Sequence, residues 1–102
     1  MAQVVVLYKT PKDPAAFDTY YAATHIPLAK KMPGLRKYQV SLGPVGTPAG
    51  PSGLHLIATL TFDSMAAVQN AFGSAEGKAT AADVPNFASG GADILIFDTR
   101  DV

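Results

Sequence analysis

The chain has 102 residues, with no cysteine and no tryptophan, a length that fits a single domain over 1–102. Without cysteine, disulfides, thiolate metal sites, iron–sulfur clusters and a cysteine nucleophile are excluded. Eight basic and eight acidic side chains cancel to zero formal charge, which argues against a nucleic-acid or anionic-membrane surface, since both need a basic excess.

The first element is read from Gln3 to Lys9, rich in β-branched residues and stopped at Thr10-Pro11. That is a buried strand. The start shows no basic region or cleavage site, and no window approaches the ~20 apolar residues of a membrane span. A soluble, cytoplasmic protein is therefore expected. Asp13 is placed as a helix N-cap with Pro14 at the first helical position. Phe17, Tyr21, Thr24, Leu28 and Met32 then recur at helical spacing. Pro27 cannot donate to the carbonyl of Ala23, so a kink or restart is expected there. Pro33-Gly34 ends the helix. Leu35 to Leu42 alternates and predicts a second strand.

Gly43 to Gly53 holds four glycines and three prolines and is expected to be a flexible loop without packing side chains. Leu54 to Phe62 predicts a third strand, with Leu54, Leu56, Ala58, Leu60 and Phe62 on one face and His55, Ile57, Thr59 and Thr61 on the other. Asp63-Ser64 starts a helix carrying Met65, Val68 and Phe72, ended by Gly73. Ser74 to Asp83 is a second helical piece, broken at Val84-Pro85. Ala92 to Phe97 is the last strand.

The order β-α-β-β-α-β predicts an α+β, ferredoxin-like fold: a four-stranded antiparallel sheet with both helices on one face. The first and last strands are apolar on both faces, as Val4-Val5-Val6-Leu7 and Ile94-Leu95-Ile96-Phe97 show. Charged residues are only 16% of the chain, below the usual ~25%. Both observations predict a homodimer that covers the open sheet face with a second copy.

His25 is the leading candidate for chemistry. It lies on the apolar face of the first helix, two residues before Pro27, and an imidazole in a pocket is suited to move protons. The plain alternative is a structural histidine bonded to backbone freed at the proline, or to Tyr21 or Tyr38. Tyr21 and Tyr38 are each placed to approach His25, whereas Tyr20 points off the apolar stripe and is expected to be a rim residue. His55 is expected to line a cavity or the dimer interface. Two histidines without further ligands do not make a zinc site, so no metal is expected. Lys30, Lys31, Arg36 and Lys37 cluster near the end of the first helix, and complementarity to its C-terminus explains them. The other reading is attraction of an acidic small molecule. Asp83 has two readings, a base and a local cap or pair, and the local role is the expected one. Nucleotide-binding and hydrolase motifs of the familiar glycine-rich and metal-binding types are missing.

The run from Phe17 through Tyr20-Tyr21, His25, Pro27 and Leu28, followed by Pro33-Gly34-Leu35 and Tyr38, resembles the EthD family, named for a protein of bacterial ether degradation. Asp83 to Phe87 also looks like an EthD segment. The resemblance implies the dimeric α+β barrel superfamily, whose members include cofactor-independent monooxygenases, isomerases, cyclases and haem enzymes. It implies a pocket between helices and sheet, lined by His25, Tyr21 and Tyr38, and it strengthens a functional role for His25.

The resulting expectation is a small-molecule pocket protein of bacterial catabolism, taking a small apolar or aromatic and perhaps acidic ligand. His25 is the candidate acid/base, and Tyr21, Tyr38, Phe17, His55, Phe62 and Phe87 are candidate ligand contacts, with Phe72 a further apolar wall. Isomerisation, dehydration, cyclisation or oxygenation of an activated substrate needs no cofactor, and none is expected. A non-catalytic ligand-binding or accessory protein of an oxygenase system is the competing expectation.

Overall fold

β1 (Ala2–Lys9) is the strand around which the molecule is built. A computed structural model describes every residue from Met1 to Val102. After β1 come α1 (Pro14–Tyr20), a π-helical turn (Tyr21–His25), α2 (Ile26–Ala29), β2 (Lys37–Val40), a small hairpin of β3 (Gly46–Thr47) and β4 (Gly50–Pro51), and β5 (Leu54–Phe62). Then follow α3 (Met65–Gly73), α4 (Ala75–Asp83), a single 3-10 turn (Val84–Asn86) and β6 (Ala92–Asp98).

The sheet order is β2-β5-β1-β6, antiparallel throughout. This is the expected α+β, ferredoxin-like arrangement, with β1 and β5 central. Alternation decides which face is covered. Ala2, Val4, Val6 and Tyr8 of β1 are buried beneath the helices, as are Ala58, Leu60 and Phe62 of β5. On the opposite face Val5 and Leu7 are half-buried, and Leu95 and Phe97 of β6 are 51% and 42% exposed. Ile94 and Ile96, on the helix side of the same edge strand, are each 47% exposed. The helix layer therefore stops short of β6.

Helix starts follow the capping residues. Asp13 accepts a hydrogen bond from the Ala16 backbone at 3.1 Å, with Pro14 at the first position, and Ser64 caps α3 through Ala67 at 3.1 Å. Such caps are worth about 1 kcal/mol each. At Pro27 the α-helical pattern gives way to the π-turn and resumes as α2 at Ile26. The Ile26 N–H reaches back five residues to the Tyr21 carbonyl, and the wider turn absorbs the missing donor without ending the helix.

Two expectations are corrected. Gly43–Gly53 contains an ordered hairpin: Thr47 pairs with Gly50 across Pro48-Ala49, and the Ser52 hydroxyl donates to the Val45 carbonyl at 2.6 Å. Backbone pairing and short polar side chains hold it, where the composition shows only an absence of packing residues. The second strand is also shorter than Leu35–Leu42. Arg36 precedes it and forms a bidentate ion pair with Asp63, with nitrogen–oxygen distances from 2.7 to 3.2 Å. Arg36 thus joins the start of β2 to the start of α3 rather than complementing a helix end.

Candidate active site

The π-turn places its two ends almost one above the other. Tyr21 and His25 stack with ring centroids 5.3 Å apart and planes 25° apart. Tyr21 also stacks on Phe17, at 5.5 Å and 13°. His25 is 3% exposed, so its ring sits in the core rather than on the rim.

His25 Nδ1 lies 2.9 Å from Oδ2 of Asp83, at the end of α4 and 58 residues away. An aspartate carboxylate only accepts, so Nδ1 carries the hydrogen and donates it. Nε2 is then the nitrogen with a free lone pair. It has no protein hydrogen-bond partner, yet no buried polar atom of the chain is both sealed and unsatisfied. Nε2 is accordingly open to the cavity that His25 lines.

Asp83 is held from behind. Its Oδ1 accepts from the Tyr20 hydroxyl at 2.6 Å and from Asn86 Nδ2 at 3.0 Å. Burial pushes the Asp83 pKa up, but the hydrogen bonds from Tyr20, Asn86 and His25 outweigh it and leave the group below the usual carboxylate range. Burial dominates at His25 and pulls its pKa below 6.5, with Asp83 opposing. The resting pair is thus a neutral imidazole beside an aspartate anion.

The cavity lies between the helix layer and the sheet, with a volume of about 30 Å³, space for about two waters. Val4, Val6, Ala58 and Leu60 form an apolar floor, and Ala29, Met32 and Phe72 lie opposite. Its polar groups are those of Tyr8, Tyr38, His25 and Thr80. The Tyr38 hydroxyl is 2.5 Å from that of Tyr21. The Tyr8 hydroxyl is near enough to both that they shift its pKa. Burial is the main reason all three phenols are raised above their ordinary value.

Of the residues singled out in the sequence, His25 and Tyr38 line this cavity, and Tyr21 stands one hydrogen bond behind it. Phe17, Phe62 and Phe87 are 2%, 0% and 7% exposed and pack in the core. Phe87 meets His25 at 4.6 Å between centroids and so buttresses the ring from outside the cavity.

His55 is not on the face opposite Leu56 as expected. Tyr8 pairs with Leu56 and Lys9 with Leu54, so a β-bulge leaves His55 unpaired. A bulge re-aims its side chain. The ring turns to the helix layer, edge-on to Phe17 at 4.8 Å, and Nε2 meets Asp18 Oδ1 at 2.7 Å. It borders a separate, wider cleft of about 440 Å³ with Thr10, Ser41 and Gly43. That cleft is open and half polar. The smaller cavity holds the buried histidine and is the better seat for chemistry.

Sequence reasoning missed the partnership of Asp83 with His25 and the part of Tyr20 in it. The aspartate's position before Val84-Pro85 suggested a local cap. Tyr8 brings a further hydroxyl to the cavity from β1. No group of three or more histidine, aspartate or glutamate side chains is arranged to hold a metal ion, and no helix is long and apolar enough to cross a membrane.

The sequence profile of the EthD domain matches residues 9–91. An uncharacterized 11.0 kDa protein of Rhodococcus erythropolis, from the thcB–thcC intergenic region, is 40% identical over all of this chain and 98% of its own length. The crystal structure of an EthD family protein from Bacillus halodurans superimposes with a TM-score of 0.89 at 36% identity, covering 98% of this chain and 99% of that one. A hydroxynitrile lyase of Passiflora edulis shares the fold at 20% identity and TM-score 0.74, over 99% of this chain and 94% of its own.

Proposed function

The chain belongs to the EthD family, and from that premise we propose that it is a dimeric enzyme of small-molecule metabolism, with His25 as its general base and acid. The observation that carries the reading is the His25–Asp83 pair, with Nδ1 committed to the carboxylate and Nε2 open to an apolar cavity. Asp83 fixes the tautomer and stabilises the imidazolium formed when Nε2 takes a proton. Tyr20 and Asn86 position Asp83. The apolar walls keep water from competing for the base. The lyase of the same fold, and a cofactor-independent oxygenase of Streptomyces nogalater that shares it at 14% identity, lend support by showing such a scaffold in enzymes.

No lysine or arginine lines the cavity, so the ligand's inner end is uncharged, and the notion of an acidic ligand is dropped. The dimer follows from the open sheet face, where Val5, Leu7, Leu95 and Phe97 form a stripe that a second copy would cover.

The test is a panel of apolar and aromatic compounds assayed for binding and for conversion by the wild type and His25→Ala. Expected is conversion of at least one bound compound, falling about 100-fold or more in the variant while affinity changes less than about threefold. Binding without conversion by the wild type, for every compound bound, would establish the competing role of a ligand-binding or accessory protein.

A further inference from the structure

The polar groups of the cavity are of two kinds. Nε2 of His25 is an acceptor. Tyr8, Tyr21 and Tyr38 form a cluster of three hydroxyls, and Tyr8 and Tyr38 themselves line the cavity. The Tyr21–Tyr38 bond uses one hydroxyl hydrogen of that pair, so the cluster keeps at least one donor for a ligand. Burial holds these phenols protonated. Such a site offers hydrogen-bond donors to an oxygen and a base to a neighbouring proton.

Size narrows the choice. An apolar cavity of about 150 Å³ takes a whole benzene ring, and this one is about 30 Å³. A phenol would have to bring its ring in with its oxygen. A carbonyl group and the carbon beside it form a narrower head. Of the lining residues, Ala81 and Ile94 are exposed, so the mouth lies between α4 and β6, where a tail can rest on uncovered β6.

We propose that the cavity takes the carbonyl head of an uncharged aliphatic aldehyde, ketone or ester, its oxygen on the tyrosine hydroxyls and a hydrogen of the adjacent carbon facing His25 Nε2. The assignment rests on the acid/base reading of His25. In the elementary step Nε2 takes that proton. The C–H electron pair becomes the carbon–carbon double bond of an enolate, and the carbonyl π pair moves to oxygen, where the tyrosine O–H groups stabilise it. The imidazolium then returns the proton to the same or another carbon. Atoms and electrons balance without an oxidant, reductant or metal.

The experiment uses 2-hexanone as the probe, with hexanoate and 4-ethylphenol as comparisons, on the full-length protein. Deuterium uptake beside the carbonyl is followed by proton NMR in D2O, and binding by ligand-observed NMR. Expected is exchange faster than in buffer, reduced about 100-fold by Tyr8→Phe or Tyr38→Phe and abolished by His25→Ala, with 2-hexanone bound more tightly than either comparison. Both phenylalanine variants keep the ring and remove only a hydroxyl. Binding and exchange untouched by either would overturn the proposal, as would tighter binding of hexanoate or 4-ethylphenol. Conversion of 4-ethylphenol that depends on His25, without ketone exchange, overturns the carbonyl assignment and leaves the base standing. Hexanone binding weakened by Tyr8→Phe, with no exchange and no conversion of any compound, supports the assignment and overturns the base.

Discussion

His25 and Asp83 hold opposite protonation preferences, and each bears on stability. The folded pKa of His25 lies below its unfolded value of 6.5 because burial disfavours the cation. Below 6.5 the unfolded chain binds a proton that the folded chain resists, so stability falls as pH drops through that range and is fully present above it. Asp83 is also held below its ordinary value of 3.8, so a second loss follows at more acid pH. Thermal unfolding followed by circular dichroism from pH 8 to pH 3 is expected to show a melting temperature that declines below about pH 6.5. His25→Gln is expected to remove the first part of that decline, and an unchanged profile would contradict burial of a neutral histidine. The histidine itself was legible in the sequence, since it stands beside Pro27 on an apolar helix face. Its carboxylate partner was not. A contact between residues 58 positions apart leaves no mark in spacing, and the short sequence around Asp83 offered a local cap as a sufficient reason for it.

At the scale of elements, the strands and helices with strong alternation or caps were legible almost to the residue. Leu54–Phe62 and the Asp13–Pro14 helix start are examples. What was illegible depended on backbone accommodation. Pro27 removes a donor, which predicts a disturbance but not its form, and the helix meets it with a π-turn that brings Tyr21 over His25. The bulge at His55 likewise has no sequence signature, yet it moves the side chain to the other side of the sheet. The corner between α3 and α4 depends on Gly77, where a Cβ would overlap the Ala71 backbone. Alanine-rich composition predicted helix there and gave no hint of how closely the two pieces approach.

The whole molecule is a sheet covered on one side. Measured against that layout, the apolar pattern of β1 and β6 was the most informative feature of the sequence, because a strand apolar on both faces calls for a cover on both. The helices supply one. The stripe of Val5, Leu7, Leu95 and Phe97 is expected to be the seat of the other. Sedimentation equilibrium should give about twice the 10.6 kDa chain mass, and Leu95→Asp should shift it toward the monomer by placing a charge in an apolar contact. A wild-type monomer at micromolar concentration would contradict the dimer. Cavity and interface are separable: His25 and Asp83 belong to one chain, so the variant should retain the imidazole–carboxylate hydrogen bond even when it dissociates.

That hydrogen bond is where a single measurement bears most directly on the chemistry. A proton–nitrogen correlation spectrum of the 15N-labelled imidazoles at pH 7 reports which ring nitrogen of His25 carries hydrogen, with His55→Gln used to assign the two histidines. The geometry predicts a hydrogen on Nδ1 and a bare Nε2, the neutral tautomer that a base facing the cavity requires. A hydrogen on Nε2 with none on Nδ1, or an imidazolium at that pH, would contradict it and leave His25 a structural residue.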